Sequence, residues 1–116
     1  MFSLKAFCEI FVSRVLPAIR AIVAERLIEK YKLTQMQAAS KMGLTQAAVS
    51  HYLRAKRGAK AYKLIKGKPE IMEALEALVD EIYEKGASDI TALRMCEICE
   101  KIRKNEELLK SILKSA

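Results

Sequence analysis

The side chains able to do chemistry fall into three sets. The first is the thiols. Cys96 and Cys99 form Cys-x-x-Cys within MCEIC, and Cys8 stands far upstream. On a helix, residues i and i+3 project from one face, so these two thiols can approach one metal ion or each other. With Cys8 as a third ligand, three thiolates could hold an iron–sulfur cluster or, with an outside ligand, zinc. A fourth thiolate is missing, and cysteine is also a common small core residue. Structural thiols, a metal centre and a reversible redox pair therefore all stay open, and no cofactor is required by the rest of the chain. The odd count of three cysteines argues against a secreted disulfide framework.

The second set is what an enzyme would use, and it is thin. His51 is the single histidine and has no Cys or Asp partner at suggestive spacing. There is no glycine-rich phosphate loop, no zinc-protease motif and no pair of catalytic carboxylates. The carboxylates between residues 70 and 84 read as the solvated face of a helix. No enzymatic activity is expected.

The third set is Thr45, Gln46, Ala47, Ser50 and His51, followed by Arg54. It is short, polar and uncharged except for Arg54. Gln pairs with adenine, Arg with guanine, and Ser or Thr with either, while Ala can touch only a thymine methyl. Such a set reads base edges when one helix presents it. Thr45 is a good N-cap for that helix, and Ala48, Val49, Tyr52 and Leu53 give it a buried stripe. A preceding helix carries Ala38, Ala39 and Met42 on one face. Gly43 stands where that helix must stop in a conformation favouring glycine, and Leu44 plugs the corner. Ala39 supplies the small residue needed at close approach, and Val49 meets it from the second helix.

The pattern Gln-x-x-x-Ala-x-x-x-Gly-Leu-Thr-Gln-x-x-Val-Ser-x-Tyr-Leu over Gln35–Leu53 resembles that of lambda-repressor-like (XRE-type) helix-turn-helix proteins. The flanking LPAIR (16–20) and TQAAVSHYLRAKRG (45–58) are similar to small archaeal predicted transcriptional regulators of that type. The resemblance implies an all-α helix-turn-helix bundle of the lambda-repressor type with additional C-terminal helices. It also implies double-stranded DNA as partner and a homodimer bound to two half-sites. For Gln35 it implies a phosphate bond and a brace to Gln46.

Charge supports that reading. The net charge is +7, and residues 32–68 carry nine basic groups and no acidic one. A basic segment free of acids around a base-reading helix points to a polyanion. Arg54, Lys56, Arg57 and Lys60 are the expected backbone contacts, with Gly58 allowing close approach. Competing readings are a nucleic-acid binder without sequence choice, a module docking on another protein through its acidic half, and an antitoxin.

The remaining elements are helical. Hydrophobic content of 52% suffices for a core, and only four Gly and two Pro interrupt the chain. Residues 2–15 show Phe2, Ala6, Ile10, Phe11 and Val15 at helical spacing. Pro17 either kinks this helix or starts the next. Ile19, Ile22, Val23, Leu27 and Ile28 form the stripe of 17–31, with Glu25, Arg26, Glu29 and Lys30 largely opposite. After a basic stretch, Pro69 opens a helix with Ile71, Leu75, Leu78, Val79 and Ile82 inside, ended by Gly86. Ser88 caps another, with Ala92, Leu93, Cys96 and Cys99 or Ile102 inside. Leu108, Leu109, Ile112 and Leu113 mark a last one. Residues 1–66 are thus expected to form the DNA-binding region and 67–116 a dimerisation or effector region, packed as one domain or as two. Lys5, Glu9, Arg14 and Arg20 interrupt the apolar N-terminus, so no run approaches the roughly 18–20 residues of a membrane span. A cytoplasmic protein without membrane contact is expected.

Overall fold

The structure, a computed structural model, describes residues 6–56 and 59–114. Phe2, Arg57 and Gly58, to which the sequence assigns roles, lie outside the described residues. All the regular structure among the described residues is helical, and no helix is long and apolar enough to cross a membrane.

The chain opens with α1 (Phe7–Ile10), a wide π-type turn (Phe11–Val15) and α2 (Leu16–Tyr31), which follow without a break. Of the two places open to Pro17, the start of the next helix is the one it takes. It sits in the first turn of α2, and the turn ahead is widened, with Leu16 N–H reaching back to the carbonyl of Phe11. A proline lacks an N–H and crowds the carbonyl four residues earlier, and a widened turn relieves both problems. Lys32 ends α2 in the left-handed region, at φ 57°.

Next come α3 (Gln35–Met42) and α4 (Gln46–Ala55). Thr34 and Gln37 cap α3 reciprocally: Gln37 N–H donates to Thr34 Oγ1 and Thr34 N–H to Gln37 Oε1. The Thr-x-x-Gln spacing is legible in the sequence as a capping box. At the far end Gly43 adopts φ +69°. Leu44 N–H bonds Ala39 C=O and Gly43 N–H bonds Ser40 C=O, the paired closure that satisfies a helix's last carbonyls. Thr45 Oγ1 then accepts from Ala48 N–H at 3.1 Å and starts α4. Ala39 and Val49 pack together as their sizes predict, and Ala24 of α2 joins them.

Beyond lie α5 (Lys60–Lys66), α6 (Pro69–Lys85), α7 (Asp89–Lys104) and α8 (Glu106–Lys114). Among the described residues the main apolar core runs from Phe11 and Val15 through Ile22, Ile65 and Leu75 to Ile102 and Ile112. The turn between α6 and α7 touches the end of α3, where Ala87 N–H donates to Lys41 C=O at 2.8 Å.

Four expectations need correction. Ala6 is exposed rather than part of an inner stripe. On α7 the inward residues are Thr91, Ile98 and Ile102, while Ala92 and Cys96 are exposed and Leu93 is 65% exposed. Thr91 can face inward because its hydroxyl is satisfied locally, donating to Ser88 C=O and accepting from Ser88 N–H. That choice rotates the helix and leaves Leu93 outside. Glu25 is buried rather than opposite the stripe of α2, at 8% exposure. The carboxylates of α6 are not simply solvated. Glu76 accepts from Arg26, and Asp80 from both Lys30 and Tyr31, all on α2. The rings of Tyr31 and Tyr83 stack at 3.7 Å beside these pairs, tying α2 to α6 by charge and ring contact.

Candidate nucleic-acid interface

The turn after Gly43 and the Thr45 cap fix which face of α4 points outward. Val49 is buried; Ala48, Tyr52 and Leu53 are half-buried. Thr45, Gln46, Ala47, His51 and Arg54 are exposed, and Ser50 is half-buried. Arg54 donates to Ser50 Oγ at 2.8 Å, so this arginine lies along the helix face. The His51 ring stands edge-on to that of Tyr52 at 5.9 Å. Tyr52 faces the other way, its hydroxyl accepting from Arg20 of α2 at 2.9 Å. Five of the six side chains chosen for base-reading chemistry therefore share one open surface, with Ser50 at its margin.

Gln35 occupies the first position of α3 and is exposed, as is Gln46. Neither side chain makes a hydrogen bond among the described residues, so the brace between them implied by the family resemblance is not made here. Lys60 opens α5 and is exposed, as is Lys63 on the same helix. Arg57 lies outside the described residues.

Lys56 departs from its expected role. Its ammonium is turned inward and lies 2.6 Å from Glu25 Oε2. Lys66 reaches the other carboxylate oxygen at 2.8 Å, and Tyr62 donates its hydroxyl to Oε2. Glu25 on α2 thus gathers the end of α4 and two residues of α5 around one buried carboxylate. Burial alone would raise its pKa, but the bonds from Lys56, Lys66 and Tyr62 outweigh burial and hold it at about 2. The same contact raises Lys66, while burial, followed by the bond to Glu25, raises Tyr62. Lys56 is a strut rather than a free phosphate ligand. The signal for this was present in the sequence: Glu25 follows Ala21 by four residues and Ile22 by three, so the helical period places it on their buried face.

Lys68 also has an acidic neighbour, Glu107 at 3.3 Å. The basic segment is thus divided. Lys56, Lys66 and Lys68 bind its underside to the rest of the chain, and Arg54, Lys60 and Lys63 remain on the surface beside the polar face of α4.

The cysteines lie on another side. Cys8 and Cys96 are exposed and Cys99 is half-buried. All three border one cleft of about 420 Å³ between α1 and α7, together with Phe11 and Met95. Burial first, and then the neighbouring Cys8 and Cys96, push the Cys99 thiol up, against the pull of Arg103. Among the described residues no group of three or more His, Cys, Asp or Glu side chains is placed to hold a metal ion. The three thiols thus share one cleft.

Comparison with protein-family models, with curated proteins and with solved structures finds no match for this chain.

Proposed function

We propose that this protein is a sequence-specific DNA-binding regulator of transcription that lays α4 in the major groove. The observation that carries the reading is the outer face of α4. It presents Thr45, Gln46, Ala47, His51 and Arg54 together, within a segment from residue 32 to 68 that contains no acidic residue. These side chains can discriminate base edges, and a positive surround supplies sequence-independent affinity. Gln46, Ala47, Ser50 and His51 meet the bases, and Thr45 sits at the helix N-terminus against the groove wall. Gln35, Arg54 and Lys60 hold phosphates. Lys56, bound to Glu25, instead fixes the angle at which α4 leaves the body.

The reading includes a homodimer of XRE-type helix-turn-helix architecture. A single helix contacts few base pairs, and two copies one helical turn apart give usable specificity. The unpartnered apolar side chains of α7, Ile90 at 53% and Leu93 at 65% exposure, support pairing through that helix.

The test is selection of bound duplexes from a random pool at near-physiological salt. Enrichment of two half-sites with two-fold symmetry is expected. Binding that vanishes at modest salt with no enriched sequence would replace this reading with an unselective nucleic-acid binder.

A further inference from the structure

Arg20 points from α2 toward a cleft that the interface does not use. The cleft, about 380 Å³, lies among α2, the α3–α4 turn, α6 and α7. Its walls are mainly apolar, with Leu16, Val23, Leu44, Ile82 and Met95 among them. Its volume falls in the range of small-molecule sites, about 300–1,000 Å³. Among the described residues lining it, Arg20 is the one charged side chain. Two hydroxyls also reach the wall, Ser88 and Thr91, and that of Thr91 is committed to the Ser88 backbone.

Two half-buried cations on or against α2 are neutralised: Arg26 by Glu76, and Lys56 by Glu25. Arg20 has no carboxylate. Its only side-chain partner among the described residues is Tyr52, reached through one N–H at 2.9 Å and through the ring at 5.7 Å. A guanidinium has five N–H donors and stays charged at any physiological pH. A half-buried cation with spare donors at the rim of an apolar cleft calls for an anion with an apolar body.

We propose that this cleft binds a small apolar monocarboxylate, its chain between α2 and α7 and its carboxylate on Arg20. The head group follows from charge and shape. The planar fork of arginine matches one carboxylate with two parallel bonds, and the lining holds no second cation for a more highly charged phosphate. The bound carboxylate competes with the Tyr52 hydroxyl for Arg20, and Tyr52 belongs to α4. That connection to α4 is of interest only if α4 contacts DNA, and so rests on the reading above; the binding itself does not.

The experiment therefore measures binding to the full chain without DNA. Octanoate is titrated calorimetrically beside its uncharged amide, with Arg20→Met and Ala92→Trp as variants. Ala92 lines the cleft and is exposed, so a large ring there blocks the mouth without entering the core. Saturable one-site binding of octanoate is expected, weakened at least about tenfold in the amide and in Arg20→Met, as for loss of a charged hydrogen bond. It is expected to disappear in Ala92→Trp while the thermal midpoint holds. Absence of saturable octanoate binding, equal binding of acid and amide, or full retention in Ala92→Trp each overturns the proposal. Should Arg20→Met not fold, the acid–amide comparison and Ala92→Trp decide alone.

Discussion

The ammonium of Lys56 lies 2.6 Å from a carboxylate oxygen of Glu25, a residue only 8% exposed. The pair joins the C-terminal end of the candidate recognition helix to the middle of α2. Replacing Glu25 by Gln keeps the shape but leaves two lysines without their counter-charge. A loss of about 2–3 kcal/mol is expected, less than for a fully buried pair because both lysines keep contact with water. The pH dependence follows from the depressed carboxyl. Its stabilisation is complete above the ordinary value of 4.5 and is lost as pH falls toward about 2. Urea midpoints of the native protein should therefore drop across that window, and those of Glu25→Gln should drop less. Equal slopes for the two proteins would show that Glu25 does not carry the effect.

Reading and holding residues should separate in binding assays. Gln46→Ala is expected to cost about 1–3 kcal/mol at the preferred site and to relax choice at one base pair. Lys60→Ala should weaken all sequences alike and lower the salt slope by about one. Lys56→Ala should act differently from both, reducing thermal stability as well as affinity. If Gln46→Ala and Lys60→Ala give the same profile across sequences, the division of labour proposed for α4 and α5 is wrong.

Lys32 holds a left-handed backbone, φ 57°, at the end of α2. Its side chain is exposed, and the strain of a Cβ there costs roughly 1 kcal/mol. Lys32→Gly is expected to raise stability by up to about 1 kcal/mol, offset in part by the greater freedom of an unfolded glycine. Denaturant unfolding with an unchanged slope checks this. A clear loss of stability would mean that the lysine side chain makes a contribution larger than the strain.

Leu93 stands 65% exposed on α7. If this surface pairs two copies, Leu93→Asp should shift the sedimentation of the protein from dimer to monomer and leave its helical signal intact. A dimer that survives the change would move the interface elsewhere, with Val12 at 58% exposure the next residue to alter.

Much of this arrangement was legible from side-chain size and period. Gly43, Thr45, Ala39 and Val49 announced a tight turn between two helices because each has few alternative uses at its position. The inner stripes of α2 and α6 followed from spacing alone. The differences share one cause, which is that polarity is an incomplete guide to exposure. Glu25 and Thr91 are polar yet inward, since each finds its partners inside: Glu25 in Lys56, Tyr62 and Lys66, far along the chain, and Thr91 within its own first turn. Leu93 departs in the opposite direction, apolar yet outside, because Thr91 sets the phase of α7. Lys56 reads as a phosphate ligand from sequence because the carboxylate that holds it lies thirty-one residues earlier in the chain, a distance no local pattern spans.

The bond from Ala87 N–H to Lys41 C=O has a consequence for modularity. It fastens the last turn of α3 to the corner between α6 and α7, and Ala87 lies 3.5 Å from where a side chain on Gly43 would begin. The α3–α4 pair is therefore not a portable cassette. Cutting the chain after residue 66 would strip the covering from Ile22 and Ile65 and free the end of α3 at once. Grafting α4 residues from another protein onto this body would be the safer exchange, because α2 and α3, which hold α4, stay in place.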